Sequence, residues 1–377
     1  CRAILKGWLL LSVECVRFVK HVTDKMSRIV KDLVVSEEEA ELKKRGYCLG
    51  TTLGEGSYAK VKSAYSEKLQ KRVAVKIINR KRAPKDFREK FLPRELQVLK
   101  VVDHQNVVAL YDILEIHHKL YIVMEHAGHG DLLEYIKLRG AQPEDQARKM
   151  FKQLMDGIDY LHKNHIAHRD LKCENLLLDS QNVIKVSDFG FSRFYDNGMT
   201  SKTFCGSAAY AAPEVLQGIP YFVPLHDIWA MGIILYIMVC ASMPYDDSNL
   251  KRMIRDQTEK KVSFSKSKKI SPECKDLMHR ILEVNVKKRA TIVAMSEHPW
   301  IKESNGAPTT PLSQASSPQP VSSEDKKKDR VSEDKPRPTL LTNLHLRPEE
   351  RDGKKKSKDK IGKSETPDIP LQPEAKA

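Results

Sequence analysis

None of the seven cysteines (Cys1, Cys15, Cys48, Cys173, Cys205, Cys240, Cys274) stands in a Cys-x-x-Cys pair, and their number is odd. That lack argues against a disulfide framework or a cysteine zinc site and fits a reducing cytosolic or nuclear compartment. Apolar runs are scarce as well. Residues 228–243 carry Gly232 and Ser242 inside a 16-residue stretch, short for a membrane span and better read as a helix buried on all sides. Trp8 to Val13 behind Lys6 has the charge order of a signal peptide but too little apolar length. A dedicated nucleic-acid arm is also missing. The formal charge of +15 spreads as about +3 over residues 1–46, +9 over 47–301 and +3 over 302–377, and no stretch alternates Lys or Arg with aromatics. Neither a nucleic-acid partner nor a membrane span is expected.

What is present is enough for a sizeable core: 377 residues, 40% hydrophobic and 31% charged. The chain begins with Cys1 rather than methionine, so residues 1–46 read as an extension with an incomplete or non-native start, Met26 being the initiator to expect. This extension ends in an acidic helical stretch over residues 36–44, with Ser36 as N-cap and Glu39 three residues later. From Tyr47 the pattern turns β-like, over residues 50–53, 59–65 and 72–78, then 107–114 and 119–124 after a helical-looking 87–101. A small, mostly antiparallel sheet with one helix follows from that order. After Gly130 the period becomes helical, over residues 131–138, 144–162, 228–239, 250–260, 272–282 and 292–298. The fold class is therefore α+β, with a sheet lobe followed by a larger helical one. From residue 302 on, ten of the 19 prolines lie among Ser, Thr, Lys and Glu. That composition buries too little apolar surface to offset ordering entropy, so a disordered tail is expected over 302–377. The repeated Ser323-Glu324-Asp325-Lys326 and Ser332-Glu333-Asp334-Lys335 is low complexity.

The residues that carry chemistry fall in a fixed order. Leu53-Gly54-Glu55-Gly56-Ser57-Tyr58-Ala59-Lys60-Val61 allows a hairpin backbone to fold over an anion and offer it N–H groups, although Gly-x-Gly also serves plain turns. Val73-Ala74-Val75-Lys76-Ile77 then places a lysine in an apolar strand, and the helix at 87–101 offers Glu95 as its partner. Pro93 near that helix start implies either a beginning or a bend there. The strongest signal is the pair His168-Arg169-Asp170-Leu171-Lys172-Cys173-Glu174-Asn175 and Ser187-Asp188-Phe189-Gly190, with Leu176-Leu177-Leu178 between. Phosphoryl transfer needs a carboxylate to orient the attacking hydroxyl, oxygen ligands for Mg²⁺ and a cation near the transferred group. Asp170 suits the first task, Asn175 and Asp188 the second, Lys172 the third.

With these motifs the chain resembles the eukaryotic protein kinase family over residues 47–301, and the resemblance implies the bilobal kinase fold. Lys172, two residues after Asp170, is the serine/threonine form of the loop. The resemblance further implies an ATP cleft lined by Leu53, Gly54, Gly56, Val61, Ala74, Lys76, Glu95 and Leu177, a hinge at Glu125 to Ala127 behind Met124, and a packed spine of Leu99, Leu110, His168 and Phe189. Glu214 in Ala212-Pro213-Glu214 would pair with Arg289, and Asp227 would open the central buried helix. Thr203 falls where related kinases are phosphorylated, with Arg169 as the nearest cation. Asp131 and Glu174 would face residues preceding the phosphoacceptor, implying a preference for Arg three residues upstream; the alternative is that Asp131 caps its helix and Glu174 is solvated. Ser357 after Lys354-Lys355-Lys356 fits that preference.

Phrases such as Phe91-Leu92-Pro93-Arg94-Glu95, Thr203-Phe204-Cys205-Gly206-Ser207 and Met243-Pro244-Tyr245-Asp246-Asp247-Ser248 resemble the testis-specific serine/threonine kinases. Ala59 replaces the third loop glycine, as it does in that family. The resemblance implies Mg²⁺ with ATP as co-substrate, protein substrates bearing Ser or Thr, chaperone dependence, a cytoplasmic and flagellar location, and a role in sperm development. Two rivals are a pseudokinase scaffold and a lipid or small-molecule kinase. The filled chemical positions argue against the first, Lys172 and Ala212-Pro213-Glu214 against the second.

Overall fold

A computed structural model of the chain describes residues 37–56, 58–196, 198–260, 262–265 and 269–302. The expectations for Ser36, Met26, Ser57, Ser357, the rest of the extension before 37 and the tail after 302 lie outside these residues.

Alternation of apolar and polar side chains produces five strands: Tyr47–Glu55 (β1), Ala59–Ser66 (β2), Lys71–Asn79 (β3), Leu110–Ile116 (β4) and Lys119–Glu125 (β5). They form one antiparallel sheet in the order β1-β2-β3-β5-β4. Val61 lies opposite Lys76 and Ala74 opposite Met124, and cross-strand partners share a face, so Val61, Ala74 and Lys76 look the same way. The other face carries the apolar cluster of Val73, Val75, Tyr121 and Val123. A helix over residues 37–44 (α1) covers it, with Leu42 fully buried and Glu38 paired with Lys119 at 2.6 Å. β4 starts later than the sequence pattern suggests. Residues 106–108 bond instead to Val186 of the second lobe, through Val108 N–H to Val186 O and Val186 N–H to Asn106 O.

The single helix expected over 87–101 is divided. Phe87–Phe91 is a π-helical turn, and Leu92–Leu99 (α2) is α-helical. Pro93 sits in the first turn of α2, and the backbone stays helical through Phe91 and Leu92, so the π-turn passes into the α-helix at the proline.

The second lobe begins with Leu132–Arg139 (α3), whose N-cap Asp131 accepts from Glu134 N–H at 2.9 Å, and Glu144–Lys163 (α4). Ile166–Ala167 (β6) pairs with Arg193–Phe194 (β9), and Leu176–Leu178 (β7) with Ile184–Val186 (β8). Thr200–Ser201 (β10), Pro213–Leu216 (α5) and Tyr221–Phe222 (β11) follow. Val223–Cys240 (α6) is the central helix, then Leu250–Glu259 (α7), Pro272–Ile281 (α8), Ile292–Ser296 (α9) and Pro299–Lys302 (α10). By length and hydropathy α6 could cross a membrane, yet 94% of it is buried inside the domain. Gly232 explains how α8 gets so close: a Cβ there would lie 2.7 Å from Ile281 Cγ2.

Candidate active site

The residues singled out by motif converge in two groups, one on the inner face of the sheet and one on the loop after β6. Lys76 Nζ donates to Glu95 Oε1 at 2.5 Å, joining β3 to α2. Glu95 is 3% exposed, so the pair is largely shielded from water. Burial would lower the Lys76 pKa, but the Glu95 carboxylate and then Asp188 more than offset this and hold the ammonium above its ordinary value. Lys76 is therefore a fixed cation facing Asp188. Gly54 meets nothing within 4 Å of where a Cβ would stand, and Leu53 is 49% exposed, so the end of β1 borders open space.

On the loop, the Asp170 carboxylate is the hub. Oδ1 accepts from Ser207 N–H at 3.0 Å and from Ser207 Oγ–H at 3.1 Å, while Oδ2 accepts from Asn175 Nδ2 at 3.2 Å and lies 3.1 Å from Lys172 Nζ. Lys172 also donates to Ser207 Oγ at 3.2 Å. Asn175 donates again to the Asp170 carbonyl at 2.8 Å, and its own carbonyl accepts from Ser187 N–H and Oγ–H. The two motif segments are thus stitched together by hydrogen bonds. Gly206 makes the Ser207 approach feasible. Its φ of +86° is a left-handed conformation, and a Cβ there would fall 2.5 Å from Arg169 O.

The loop is anchored from below. Asp227, 1% exposed in α6, accepts from His168 N–H and Arg169 N–H at 2.8 Å each, with His162 Nε2 2.9 Å away. Burial would raise the Asp227 pKa, but the His162 hydrogen bond and neighbouring imidazoles pull it below the usual carboxylate value. His168 packs on Phe189 with ring centroids 5.4 Å apart, and Phe189 is fully buried, as is Leu99 within 3%. Leu110 is half-buried in β4. Asp188 holds φ of +63°, strained backbone at the head of the Phe189-Gly190 turn. Further out, Glu214 and Arg289 form a buried two-point pair at 2.7 and 3.0 Å.

Other positions are placed differently from a simple cleft lining. The Glu125 carboxylate is committed to Lys185 Nζ at 2.6 Å and its N–H to Ala109 O at 2.9 Å. Ala127 and Leu177 are half-buried just beyond it, Leu177 in β7 opposite Lys185. Asp131 is the α3 cap, and Glu174 accepts from Tyr210 O–H at 3.3 Å rather than standing in free solvent. Burial pushes the pKa of both acids up. A distinct cavity of about 430 Å³ is lined by Arg94, Arg169, Arg193 and Thr203. Sequence reasoning supplied Thr203 and, of the three cations, only Arg169; Arg94 stands beside Glu95 and Arg193 in β9, and only the fold brings them to Thr203.

Among the described residues no cluster of three acidic, His or Cys side chains could hold a metal alone. Asn175 and Asp188 do carry side-chain oxygens on the two segments that the Ser187–Asn175 hydrogen bonds join. Mg²⁺ needs only one or two protein ligands when phosphates complete its shell, so these residues fit it.

The protein kinase domain family profile matches residues 47–301. Testis-specific serine/threonine-protein kinase 1 of Mus musculus is 58% identical over 272 residues, 71% of this chain and 74% of that protein. Testis-specific serine/threonine-protein kinase 2 of Mus musculus is 56% identical over 272 residues, covering 71% and 76%. Testis-specific serine/threonine-protein kinase 3 of Homo sapiens is 46% identical over 259 residues, covering 68% and 96%.

Proposed function

We propose, for a chain that belongs to the protein kinase family and is an ATP-using protein serine/threonine kinase, the following division of labour and choice of substrate. The observation that carries it is the Lys76–Glu95 pair already closed at 2.5 Å over a loop whose Asp170, Lys172 and Asn175 share one hydrogen-bonded hub. Lys76 holds the α- and β-phosphates, and the Gly54 to Gly56 turn covers them. Asp170 accepts a hydrogen bond from the substrate hydroxyl and aligns its oxygen with the γ-phosphorus. A bond forms from that oxygen to phosphorus, the bond to the β–γ bridging oxygen breaks, ADP leaves, and the hydroxyl proton passes to Asp170 and then to solvent. Lys172 balances charge on the transferred group. Asn175 and Asp188 would hold Mg²⁺, which supplies charge neutralisation on the phosphates when bound.

Substrate choice follows from Asp131 and Glu174. Both are acids partly withdrawn from water, and a guanidinium three residues before the phosphoacceptor can pair with them. A positional peptide library should show Arg, then Lys, favoured at that place, and the Asp131→Ala, Glu174→Gln double variant should lose the preference. Raised carboxyl pKa values mean that these groups take up protons at higher pH than ordinary acids, so the preference should weaken in mildly acidic buffer. A flat response at that position, or an unchanged one in the double variant, contradicts the assignment.

Control is proposed to run through Thr203. A phosphate there adds up to about two negative charges beside Arg94, Arg169 and Arg193. Enzyme isolated from cells should lose about tenfold in kcat/KM in the Thr203→Ala variant, a scale typical of one charge-assisted contact set. Full activity in that variant would show an ordinary loop threonine. The relatives' name, testis-specific, supports a role in sperm development, and the family resemblance alone suggests a cytoplasmic and flagellar location and chaperone dependence. Imaging of the tagged protein in developing sperm and recovery of chaperones with it would test these; nuclear retention or no chaperone would count against them.

A further inference from the structure

The segment carrying Thr203 is held by its backbone. β10 pairs antiparallel with β11, setting Ser201 opposite Tyr221. Two residues on, Thr203 N–H donates to Ser201 Oγ at 3.2 Å, and the Thr203 carbonyl accepts from the Tyr221 hydroxyl at 2.9 Å. Ser201 and Tyr221 are 5% and 3% exposed, whereas Thr203 is exposed. Both peptide groups of an outward-facing threonine therefore bond to side chains rooted in the interior.

The root of Tyr221 matters. Its ring stands edge-on to His226 at 5.9 Å, and His226 lies in α6 one residue before Asp227, the carboxylate that holds His168 and Arg169. The hydroxyl thus reaches the phosphoacceptor from the same floor that anchors the loop bearing Asp170. Fixing a loop residue costs conformational entropy. Here hydrogen bonds to both of its peptide groups meet part of that cost without any modification.

We infer that Tyr221 is a positioning residue: its hydroxyl, together with Ser201, latches the Thr203 backbone beside the Arg94, Arg169 and Arg193 cluster before phosphate is added. The inference rests on the reading of Thr203 as the regulatory residue and extends it. The latch supports the unmodified enzyme, and the phosphate, gripped by three guanidiniums, takes over its task. Loss of the latch is therefore felt mainly without the phosphate. Tyr221→Phe deletes the hydroxyl while keeping the ring that packs on His226.

The test uses the full chain in two backgrounds. One is Thr203→Ala, which keeps the backbone N–H and C=O but cannot be phosphorylated; the other carries phosphothreonine installed at 203 by genetic-code expansion. Tyr221→Phe should lower kcat/KM about fivefold in the first, the scale of one buried hydrogen bond, and less than about twofold in the second. Amide exchange at residue 203 in the first background should speed up by about tenfold. Equal losses in both backgrounds would reduce Tyr221 to a general structural role, and unchanged exchange at residue 203 would remove the latch. If phosphothreonine gives no more activity than alanine, the Thr203 reading fails by itself. The exchange rate and the loss in the alanine background still decide the latch.

Discussion

Lys76→Met and Asp188→Asn are each expected to lower kcat/KM by about a hundredfold or more, the scale of losing a preorganised charge at the reacting group. They do so by different routes. Methionine removes the cation that faces Asp188 and leaves Glu95, 3% exposed, as a buried carboxylate without its 2.5 Å partner. The phosphates lose their anchor and α2 loses its tie to β3. Asparagine at 188 keeps shape and strips a charge that a metal ligand needs. Orphaning Glu95 costs stability, but neither change empties an apolar core position, so both variants should still fold with circular dichroism spectra matching the parent. Activity within about tenfold of the parent in either would refute the role given to that residue.

Arg289→Met is expected to be the most destabilising of the single changes considered. The guanidinium is fully buried, bonds Glu214 at two points, reaches the Leu225 and Glu283 carbonyls at 3.0 and 2.9 Å, and lies 5.0 Å above the Trp229 ring. Removing it leaves Glu214 as an unpaired, mostly buried charge, which costs about 3–5 kcal/mol. For a domain of this size that lowers Tm by about 10 °C. Thermal unfolding measures it, and adding Glu214→Leu should recover part of the loss, since the orphaned charge goes too. A Tm within about 2 °C of the parent would show that the pair contributes little.

How much of this was legible beforehand depended on the range of the forces involved. Strand alternation and helical period are local, so all five strands of the sheet and the helices α3, α4 and α6 to α9 were visible, with ends shifted by a few residues. The division at Leu92 was open in the sequence because a proline fits either a start or a bend. β4 began late because residues 106–108 bond across to Val186, a contact that no local pattern encodes. The two-residue ribbons β6–β9 and β10–β11 are too short to show a period. Within the site, residues carried by contiguous motifs were readable. Ser207, which donates twice to Asp170, stood in a quoted phrase but had no chemical signature. Arg94, Arg193 and Tyr221 meet Thr203 only because α2, β9 and β11 are brought together, and Lys185 meets Glu125 across two strands of different sheets.

The most direct measurement is phosphate transfer itself: purified full-length chain with Mg²⁺, γ-labelled ATP and a basic Ser/Thr peptide, followed by phosphoamino-acid analysis. The parent should label serine or threonine and not tyrosine, and Asp188→Asn should lose that label. No incorporation by the parent, the same incorporation by Asp188→Asn, label on tyrosine, or a phosphorylated small molecule in place of a phosphoprotein would contradict the assignment.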